Sequence, residues 1–334
     1  MVREQIATDG PVPYADVIGL ALYHPDHGFY SSGGRAGRRG DFITSPEVGP
    51  LFGHVIANAL DDEWDRLGNP ETFSFIDYGA GPGTLARSIR EAAPRCWPAL
   101  RYVAIERSIE QRALHPDWVT SVGEFDAALI GQGIVGVVLA NELLDNLAFT
   151  PLVRVGSELV QLDVSVTADG DLISVPGRLC DQPGLFEGGI DAAVLQTEAS
   201  AWLSRMRDSV TRGRIVVLDY ARLSSERVEV RTYAGHGRAG DPLEALGTKD
   251  ITVDVDLAQL QASAGVATTI STQAHWLGAH GLMELVADGR RSWAEGAAVG
   301  DLAALKARSR IREAEALVEM TGLGGFTVAE WVVG

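Results

Sequence analysis

The chain has 334 residues, 46% of them hydrophobic and 22% charged, which is the balance of a globular protein that can bury a sizeable core. This length predicts either one large α/β domain with an insertion or two domains. The formal net charge of −17 argues against sequence-independent binding of nucleic acid, because neutralising phosphates requires clustered Lys and Arg, and it suits a positively charged ligand.

Signals for membranes, export and metals are weak in this sequence. The longest apolar windows fall short of the roughly 18 residues of a membrane span, and residues 1–10 lack the apolar core of a signal peptide. We therefore predict a cytoplasmic protein without membrane insertion. Cys96 and Cys180 give neither a disulfide framework nor a CxxC pair, and the seven histidines include no HExxH pair, so we predict no metal site.

The first 70 residues predict a helical region with loops. Residues 16–23 form a short apolar run. A second helix is predicted to begin with Ser45 as N-cap, Pro46 in the first helical position and Glu47 in the first turn. Apolar residues then recur at helical spacing and predict its buried face: Leu51, Phe52, Val55, Ile56, Ala59 and Leu60.

From Thr72 onward, strand-like and helical segments alternate, which predicts a doubly wound α/β sheet. The strands are predicted at residues 73–78, 101–105 and 134–140, with a helix at 84–93. The last of these strands is apolar throughout, as a buried parallel strand is.

A hairpin-rich stretch interrupts this alternation. Turn signals at Gly156-Ser157 and Asp169-Gly170 predict an antiparallel insertion at about residues 149–190. We therefore divide the chain into a helical N-terminal region with a cleft loop (1–70) and an α/β domain (71–334) that contains the insertion. Later elements are predicted as helices at 192–210, 257–262 and 302–320 and strands at 214–220, 267–272 and 326–333, the last two forming an antiparallel edge.

The turn after the first strand carries glycines at Gly79, Gly81 and Gly83, spaced G-x-G-x-G. A dinucleotide fingerprint needs a glycine at position 84, where Thr84 stands, and a phosphate P-loop needs a lysine that is missing here. The pattern, with Asp77 just upstream, is typical of class I S-adenosylmethionine (SAM) methyltransferases. A purely structural turn is the alternative.

The chemistry of SAM suits these residues. Because SAM carries a sulfonium and an ammonium but no phosphate, Asp77 can attract its ammonium. The glycines let the backbone approach the methionine part, and the helix that begins at Thr84 offers free N–H groups to its carboxylate. Glu106 ends the second strand, where a carboxylate can accept hydrogen bonds from ribose hydroxyls, a feature that NAD enzymes share.

Polar residues follow the strand at 134–140, namely Asn141, Glu142 and Asp145. Ligands of open α/β sheets bind at this carboxyl edge. If the methyl acceptor is a guanidinium, carboxylates can bind it bidentately, orient one nitrogen and take the released proton. Helix capping is the alternative role for Asn141 and Asp145. Asp219 and Tyr220 follow a later predicted strand, where they either line the cleft or cap a turn.

Several blocks together resemble the MidA-like family of SAM-dependent methyltransferases. The resemblance implies that the loop at 40–47 lies over the cleft, giving Asp41, Ser45 and Glu47 functional roles. It also implies a protein arginine as substrate, since a mitochondrial member dimethylates an arginine of a complex I subunit. The blocks are 21–30, 40–48, 51–53, 77–85, Asn141-Glu142 with Asp145, Asp219-Tyr220, 250–252 and Val255-Asp256.

The sequence therefore predicts a SAM-dependent protein arginine methyltransferase with a Rossmann-like α/β fold. Its protein substrate could be a respiratory-complex subunit. Methylation of a small molecule is one alternative, and a non-catalytic SAM-binding scaffold protein is another. The predicted cofactor-binding residues are Ser45, Asp77, Gly79, Gly81, Gly83, Thr84, Glu106 and Asn141, and the predicted catalytic residues are Glu47, Glu142 and Asp145.

Overall fold

The computed structural model describes residues 1–31, 43–126, 131, 133–186, 190–223, 229–235, 237–296 and 302–334. Asp41 lies outside the described residues. The chain forms two compact units, one from the described parts of Met1–Arg35, Leu143–Arg207 and Asp219–Val266, the other from those of Ala36–Glu142, Asp208–Leu218 and Ala267–Gly334. The division after residue 70 stays a prediction.

The second unit is built on a seven-stranded sheet. Its strands are, in chain order, β1 (Phe73–Tyr78), β2 (Leu100–Ile105), β3 (Thr120–Val122), β4 (Ile134–Asn141), β5 (Val210–Asp219), β6 (Thr269–Thr272) and β7 (Thr327–Val333). They lie side by side in the order β3-β2-β1-β4-β5-β7-β6. The pairs from β3 to β5 are parallel, and β6 pairs antiparallel with β7. The predicted doubly wound α/β sheet with an antiparallel edge is confirmed.

Strand order reverses between β1 and β4, because the chain builds outward from β1 first through β2 and β3 and later through β4 and β5. In open α/β sheets this switch point leaves a crevice at the carboxyl ends of the strands, where ligands bind. The glycine turn follows β1 and Glu142 follows β4. The topology therefore places both predicted motifs at the switch point.

Seven helices lie in the described part of this unit: Ser45–Val48, Pro50–Arg66, Thr84–Ala92, Ile109–Arg112, Gln273–Ala279, Leu282–Gly296 and Leu302–Val318. Helix Pro50–Arg66 contributes most of its predicted face to the core, since Leu51, Phe52, Val55, Ile56 and Leu60 are at most 3% exposed, whereas Ala59 is partly buried. Burying each large side chain stabilises the fold by about 1.5–3 kcal/mol.

The first unit contains the antiparallel insertion. Strands Thr150–Val155, Glu158–Val166 and Leu172–Leu179 form consecutive hairpins, and Val12–Pro13 and Ala192–Leu195 complete the sheet. Helices Val2–Asp9, Tyr14–Tyr23, Thr197–Ser209 and Leu257–Ala264 belong to the same unit, as do short strands at Ala221–Arg222, Arg231–Ala234, Gly237–Arg238, Asp250–Thr252 and Val255–Asp256. The predicted insertion of hairpins is confirmed. Among the described helices, none is both long and apolar enough to cross a membrane.

Three sequence-based assignments were wrong or incomplete. Ala192–Leu195 was predicted as helix but is a strand, because it pairs with residues 150–153 far away in sequence. Ser45 does not cap a helix with its side chain: it is the first residue of the short helix Ser45–Val48, and the long helix starts at Pro50. Helices Ile109–Arg112, Gln273–Ala279 and Leu282–Gly296 and strand β3 are not predicted from the sequence.

Two glycines allow the central strands to lie close together. A Cβ on Gly136 in β4 would lie 1.9 Å from the Ser74 carbonyl oxygen in β1, and one on Gly213 in β5 would lie 1.8 Å from the Gly136 carbonyl oxygen. Both glycines have a positive φ, 149° and 145°. Any side chain at either position must therefore push β1, β4 or β5 apart.

We expect Gly136→Ala to lower the free energy of unfolding by ~3 kcal/mol or more, since its clash is with backbone and cannot be relieved by a rotamer change. Urea unfolding measures this change. Gly278→Ala is the matched control, because Gly278 is helical and has open space around it; it should change stability by no more than ~1 kcal/mol. Equal midpoints for the two variants would contradict this explanation.

Candidate active site

The glycine turn is held in place by the end of β2. Gly79, Gly81 and Gly83 all adopt left-handed backbone angles, with φ of 77°, 53° and 77°. The N–H groups of Gly79 and Ala80 donate to the Ile105 carbonyl oxygen at 2.8 and 3.1 Å, and the Gly81 N–H donates to Glu106 Oε2 at 2.9 Å. Since non-glycine residues rarely adopt such angles, the spacing of glycines reflects the shape of the turn.

Glu106 binds this turn through one oxygen and the Ser108 N–H through the other, at 2.8 Å. Burial raises the pKa of Glu106, while the hydrogen bonds from the Ser108 and Gly81 N–H groups oppose that rise. An ionised carboxylate has about four acceptor positions. Glu106 can therefore hold the turn and still accept hydroxyl donors, which is the capacity that ribose binding requires.

His115 also holds the turn and was missed by sequence reasoning. Its Nε2 lies 2.7 Å from the Gly81 carbonyl oxygen and its Nδ1 lies 2.8 Å from Ser121 Oγ. The N–H of Gly81 is thus hydrogen-bonded to Glu106, and the carbonyl oxygen of Gly81 is hydrogen-bonded to His115. No motif links His115 to a turn 34 residues away, so only the folded chain reveals this contact.

Asp77 lies near the end of β1 and is only 4% exposed. Tyr102 in β2 donates a hydrogen bond of 2.6 Å to its Oδ2. Burial raises the pKa of Asp77 to about 7 and the nearby charge of Glu106 adds to the rise, whereas the Tyr102 hydrogen bond opposes it. This buried carboxyl therefore changes its charge near neutral pH, in contrast to an ordinary aspartate.

Glu142 follows β4 in a left-handed conformation, with φ of 51°. Such a conformation costs about 1–3 kcal/mol in a non-glycine residue and is concentrated at functional sites. Its N–H donates to the Leu218 carbonyl oxygen at 2.8 Å. Its Oε1 accepts hydrogen bonds from Asn141 Nδ2 at 3.0 Å and from the Ser45 N–H at 3.2 Å. The carboxylate is therefore held at the carboxyl edge of the sheet.

Asn141 leaves a buried acceptor unsatisfied. Its Oδ1 has no hydrogen-bond partner among the described residues, although its Nδ2 binds Glu142. A buried unpaired polar atom costs about 1–3 kcal/mol, which a bound donor would recover. An ammonium group is such a donor. Among the described residues, the one atom that a Cβ on Gly81 would meet within 4 Å is Gln111 Oε1, at 3.3 Å. The orphaned acceptor and the open turn both fit SAM.

The short helix Ser45–Val48 brings Glu47 to the same region. Glu47 Oε1 accepts a hydrogen bond of 2.6 Å from the hydroxyl of Thr84, the first residue of the helix after the glycine turn. The Ser45 hydroxyl donates to Gln273 Oε1 at 2.9 Å. All predicted site residues except Asp145 thus belong to the second unit.

Asp145 belongs to the first unit, together with Asp219. Asp219 is fully buried, and its Oδ2 accepts the N–H groups of Leu143 and Leu144 at 3.2 and 2.9 Å, so it caps the turn there. Asp145 Oδ2 accepts a hydrogen bond of 2.7 Å from the Thr252 hydroxyl, and burial raises the pKa of Asp145. The structure thus shows the turn-capping contacts of Asp219, whereas its role in lining the cleft and the substrate role of Asp145 stay predictions.

The charge of Asp77 should control cofactor affinity. Protonation removes its attraction for an ammonium, so we expect the Kd for S-adenosyl-homocysteine to rise about tenfold as the pH falls from 8 to 6 through the pKa of about 7. Calorimetry at several pH values measures this. Tyr102→Phe should move the transition to higher pH because it removes a hydrogen bond that lowers the pKa of Asp77. If the Kd of the Asp77→Asn variant still showed the same pH dependence, that dependence would belong to a group other than Asp77.

The open space over Gly81 should be needed by the cofactor. We expect Gly81→Val to raise the Kd for S-adenosyl-homocysteine by at least about 100-fold, because its side chain enters the space proposed for the cofactor, which among the described atoms is bordered by the tip of Gln111. Gly68→Val is the matched control: Gly68 is also left-handed, with φ of 83°, but no atom of the described part of the chain lies within 4 Å of its Cβ position. Equal affinity of Gly81→Val and Gly68→Val would contradict the cofactor placement.

Relatives with known names match most of the chain. A Drosophila melanogaster protein named protein arginine methyltransferase NDUFAF7 homolog, mitochondrial, is 26% identical over 295 residues, covering 76% of this chain and 67% of the fly protein. The Mus musculus protein arginine methyltransferase NDUFAF7, mitochondrial, is 25% identical over 301 residues, covering 78% of this chain and 68% of the mouse protein.

A solved structure shares the fold. A Burkholderia thailandensis protein crystallised with bound S-adenosyl-homocysteine superposes with a TM-score of 0.81 at 22% identity, covering 99% of this chain and 90% of that one. A family model described as "Putative S-adenosyl-L-methionine-dependent methyltransferase" matches residues 55–275, which include the glycine turn, Glu106 and Glu142. The chain belongs to this family of SAM-dependent methyltransferases, the MidA-like family that its motifs resemble.

Proposed function

We propose that this enzyme transfers a methyl group from SAM to an arginine side chain of a protein. The observation that carries the proposal is Glu142, a carboxylate held in a strained backbone conformation at the switch point of the sheet. The names of the fly and mouse relatives, both protein arginine methyltransferases, support the same substrate class.

The proposed cofactor site is formed by residues of the second unit. SAM supplies a methyl group made electrophilic by its sulfonium. Asp77 and Asn141 Oδ1 offer negative charge and an unsatisfied acceptor to its ammonium, and Glu106 offers acceptor positions to its ribose. The remaining proposed contacts come from the glycine turn and the helix that follows it: Gly79, Gly81, Gly83 and Thr84. A cofactor contact by Ser45 stays a prediction from the sequence, because its hydroxyl donates to Gln273.

The proposed catalytic residues are carboxylates. Glu142 would bind the guanidinium by charge-assisted hydrogen bonds and direct one nitrogen toward the methyl group. As the nitrogen–methyl bond forms and the sulfur–methyl bond breaks, Glu142 would accept the proton that the nitrogen loses. Glu47 is the proposed additional carboxylate for the guanidinium, and the substrate role of Asp145 stays a prediction from the sequence. Positioning and proton transfer of this kind contribute about 10²–10⁴-fold to rate.

The protein partner and the location belong to the same proposal. A respiratory-complex subunit is the partner that the family resemblance suggests. We keep the cytoplasmic location as a proposal from the sequence, while the names of the fly and mouse relatives carry the word mitochondrial.

The direct test is methyl transfer from tritiated SAM to cell-extract protein, followed by acid hydrolysis and separation of methylated amino acids. We expect label in methylarginine, and we expect Glu142→Gln to lower kcat about 100-fold, because the neutral amide can neither pair with a guanidinium nor take its proton. Glu315→Gln, at an exposed position on helix Leu302–Val318, is the matched control and should retain full activity.

Three outcomes would contradict the proposal. Label confined to small molecules would indicate a metabolite methyltransferase. Binding of S-adenosyl-homocysteine without transfer of any label would indicate a scaffold protein. Full activity in Glu142→Gln would remove that residue from the catalytic set.

A further inference from the structure

The segment at 45–51 is anchored by the C-terminal part of the chain. Glu313, on helix Leu302–Val318, is 5% exposed and accepts the Leu51 N–H at 3.0 Å and the Ser309 hydroxyl at 2.7 Å. A Cβ on Gly49 would lie 2.3 Å from the Glu313 carboxyl carbon, so a side chain at position 49 would displace this carboxylate from its present position. One end of the segment is therefore tied to a buried carboxylate that lies outside the matched family region.

Gln273 anchors the other end. It is fully buried, its Nε2 donates to the Leu317 carbonyl oxygen at 3.1 Å, and its Oε1 accepts from the Ser45 hydroxyl at 2.9 Å. A carbonyl oxygen can only accept, so the amide nitrogen must face Leu317 and the amide oxygen must face Ser45. This polarity obliges the Ser45 hydroxyl to donate to Gln273.

The backbone of Ser45 then reaches the candidate catalytic carboxylate. With its hydroxyl committed to Gln273, Ser45 directs its N–H to Glu142 Oε1 at 3.2 Å, beside the Asn141 amide at 3.0 Å. An unbroken chain of hydrogen bonds thus runs from the Leu317 carbonyl through Gln273 and Ser45 to Glu142. Gln273 touches neither Glu142 nor the glycine turn in this chain of contacts, so its influence is indirect.

We propose that Gln273 is a positioning residue for methyl transfer, which fixes Ser45 so that the Ser45 N–H holds the Glu142 carboxylate in its reactive orientation. This inference rests on the proposed catalytic role of Glu142. It assigns to the C-terminal region of the chain a part in the reaction, since Leu317 and Glu313 hold the segment that carries Ser45 and Glu47.

The test uses two variants. Gln273→Met keeps the side-chain length but removes both hydrogen bonds of the side-chain amide, and Ser45→Ala removes only the hydroxyl. Initial rates are measured with tritiated SAM and a fixed amount of cell-extract protein. We expect each variant to lower kcat about tenfold while the KM for SAM changes less than about twofold, because the cofactor contacts remain. The double variant should also lose about tenfold, and not 100-fold, because both changes break one chain.

A double variant that combines Gln273→Met with Glu142→Gln tests whether Gln273 acts through Glu142. Because Gln273 acts through Glu142, adding Gln273→Met to Glu142→Gln should lower kcat no further than about twofold. Gln259→Met is the matched control for loss of a buried amide: Gln259 is 2% exposed and donates to Val194 and Asp256 in the first unit. Gln259→Met should lower the melting temperature about as much as Gln273→Met does, but it should not lower kcat.

The outcomes distinguish failure of the positioning role of Gln273 from failure of the catalytic role of Glu142. If Glu142→Gln lowers kcat but Gln273→Met and Ser45→Ala leave it unchanged, the positioning role is wrong and the proposed function stands. If Glu142→Gln itself retains full kcat, the role of Glu142 fails and the positioning role fails with it. A rise in KM for SAM in Ser45→Ala without loss of kcat would overturn the inference by making the hydroxyl a cofactor contact. Ser45→Ala keeps the test decisive if Gln273→Met does not fold.

Discussion

The hydrogen bond from the Gly81 N–H to the Glu106 carboxylate is the interaction on which the site depends. It ties the turn after β1 to the end of β2, and two further N–H groups of the turn bind the Ile105 carbonyl oxygen. Parallel pairing of β1 with β2 sets the register that makes these bonds possible. The same carboxylate is proposed to bind ribose, so the shape of the turn and the recognition of the sugar depend on one side chain.

The site contains several features that would destabilise a protein elsewhere. Asp77 is a buried carboxyl, Asn141 has an unsatisfied acceptor, and Glu142 is left-handed. The unsatisfied acceptor and the left-handed residue each cost on the order of 1–3 kcal/mol, and burial of the carboxyl adds to this; the core formed by the sheet and helix Pro50–Arg66 offsets the cost. Their presence at one sheet edge favours a functional explanation, because folding alone gives no reason to keep them together.

Local patterns predicted six of the seven strands of the central sheet within a few residues, since apolar runs and glycine turns depend on near neighbours, but they missed the short strand β3. They also indicated Asp77, Glu106 and Glu142 as candidate site residues, because these lie at or just beyond the carboxyl ends of neighbouring parallel strands. The sequence could not predict His115 or Gln273, which reach the site through contacts between distant segments. The same limitation explains the errors at Ser45 and Ala192–Leu195, where a partner far along the chain overrides the local preference.

The family match ends at residue 275, yet Glu313 and Leu317 hold the segment that carries Ser45 and Glu47. The crystal structure of this protein with S-adenosyl-homocysteine is the most direct test of the account. We predict the ribose hydroxyls within hydrogen-bonding distance of Glu106 and the amino-acid part over Gly79, Gly81 and Gly83. A nucleoside bound elsewhere, with nothing over these glycines, would contradict it.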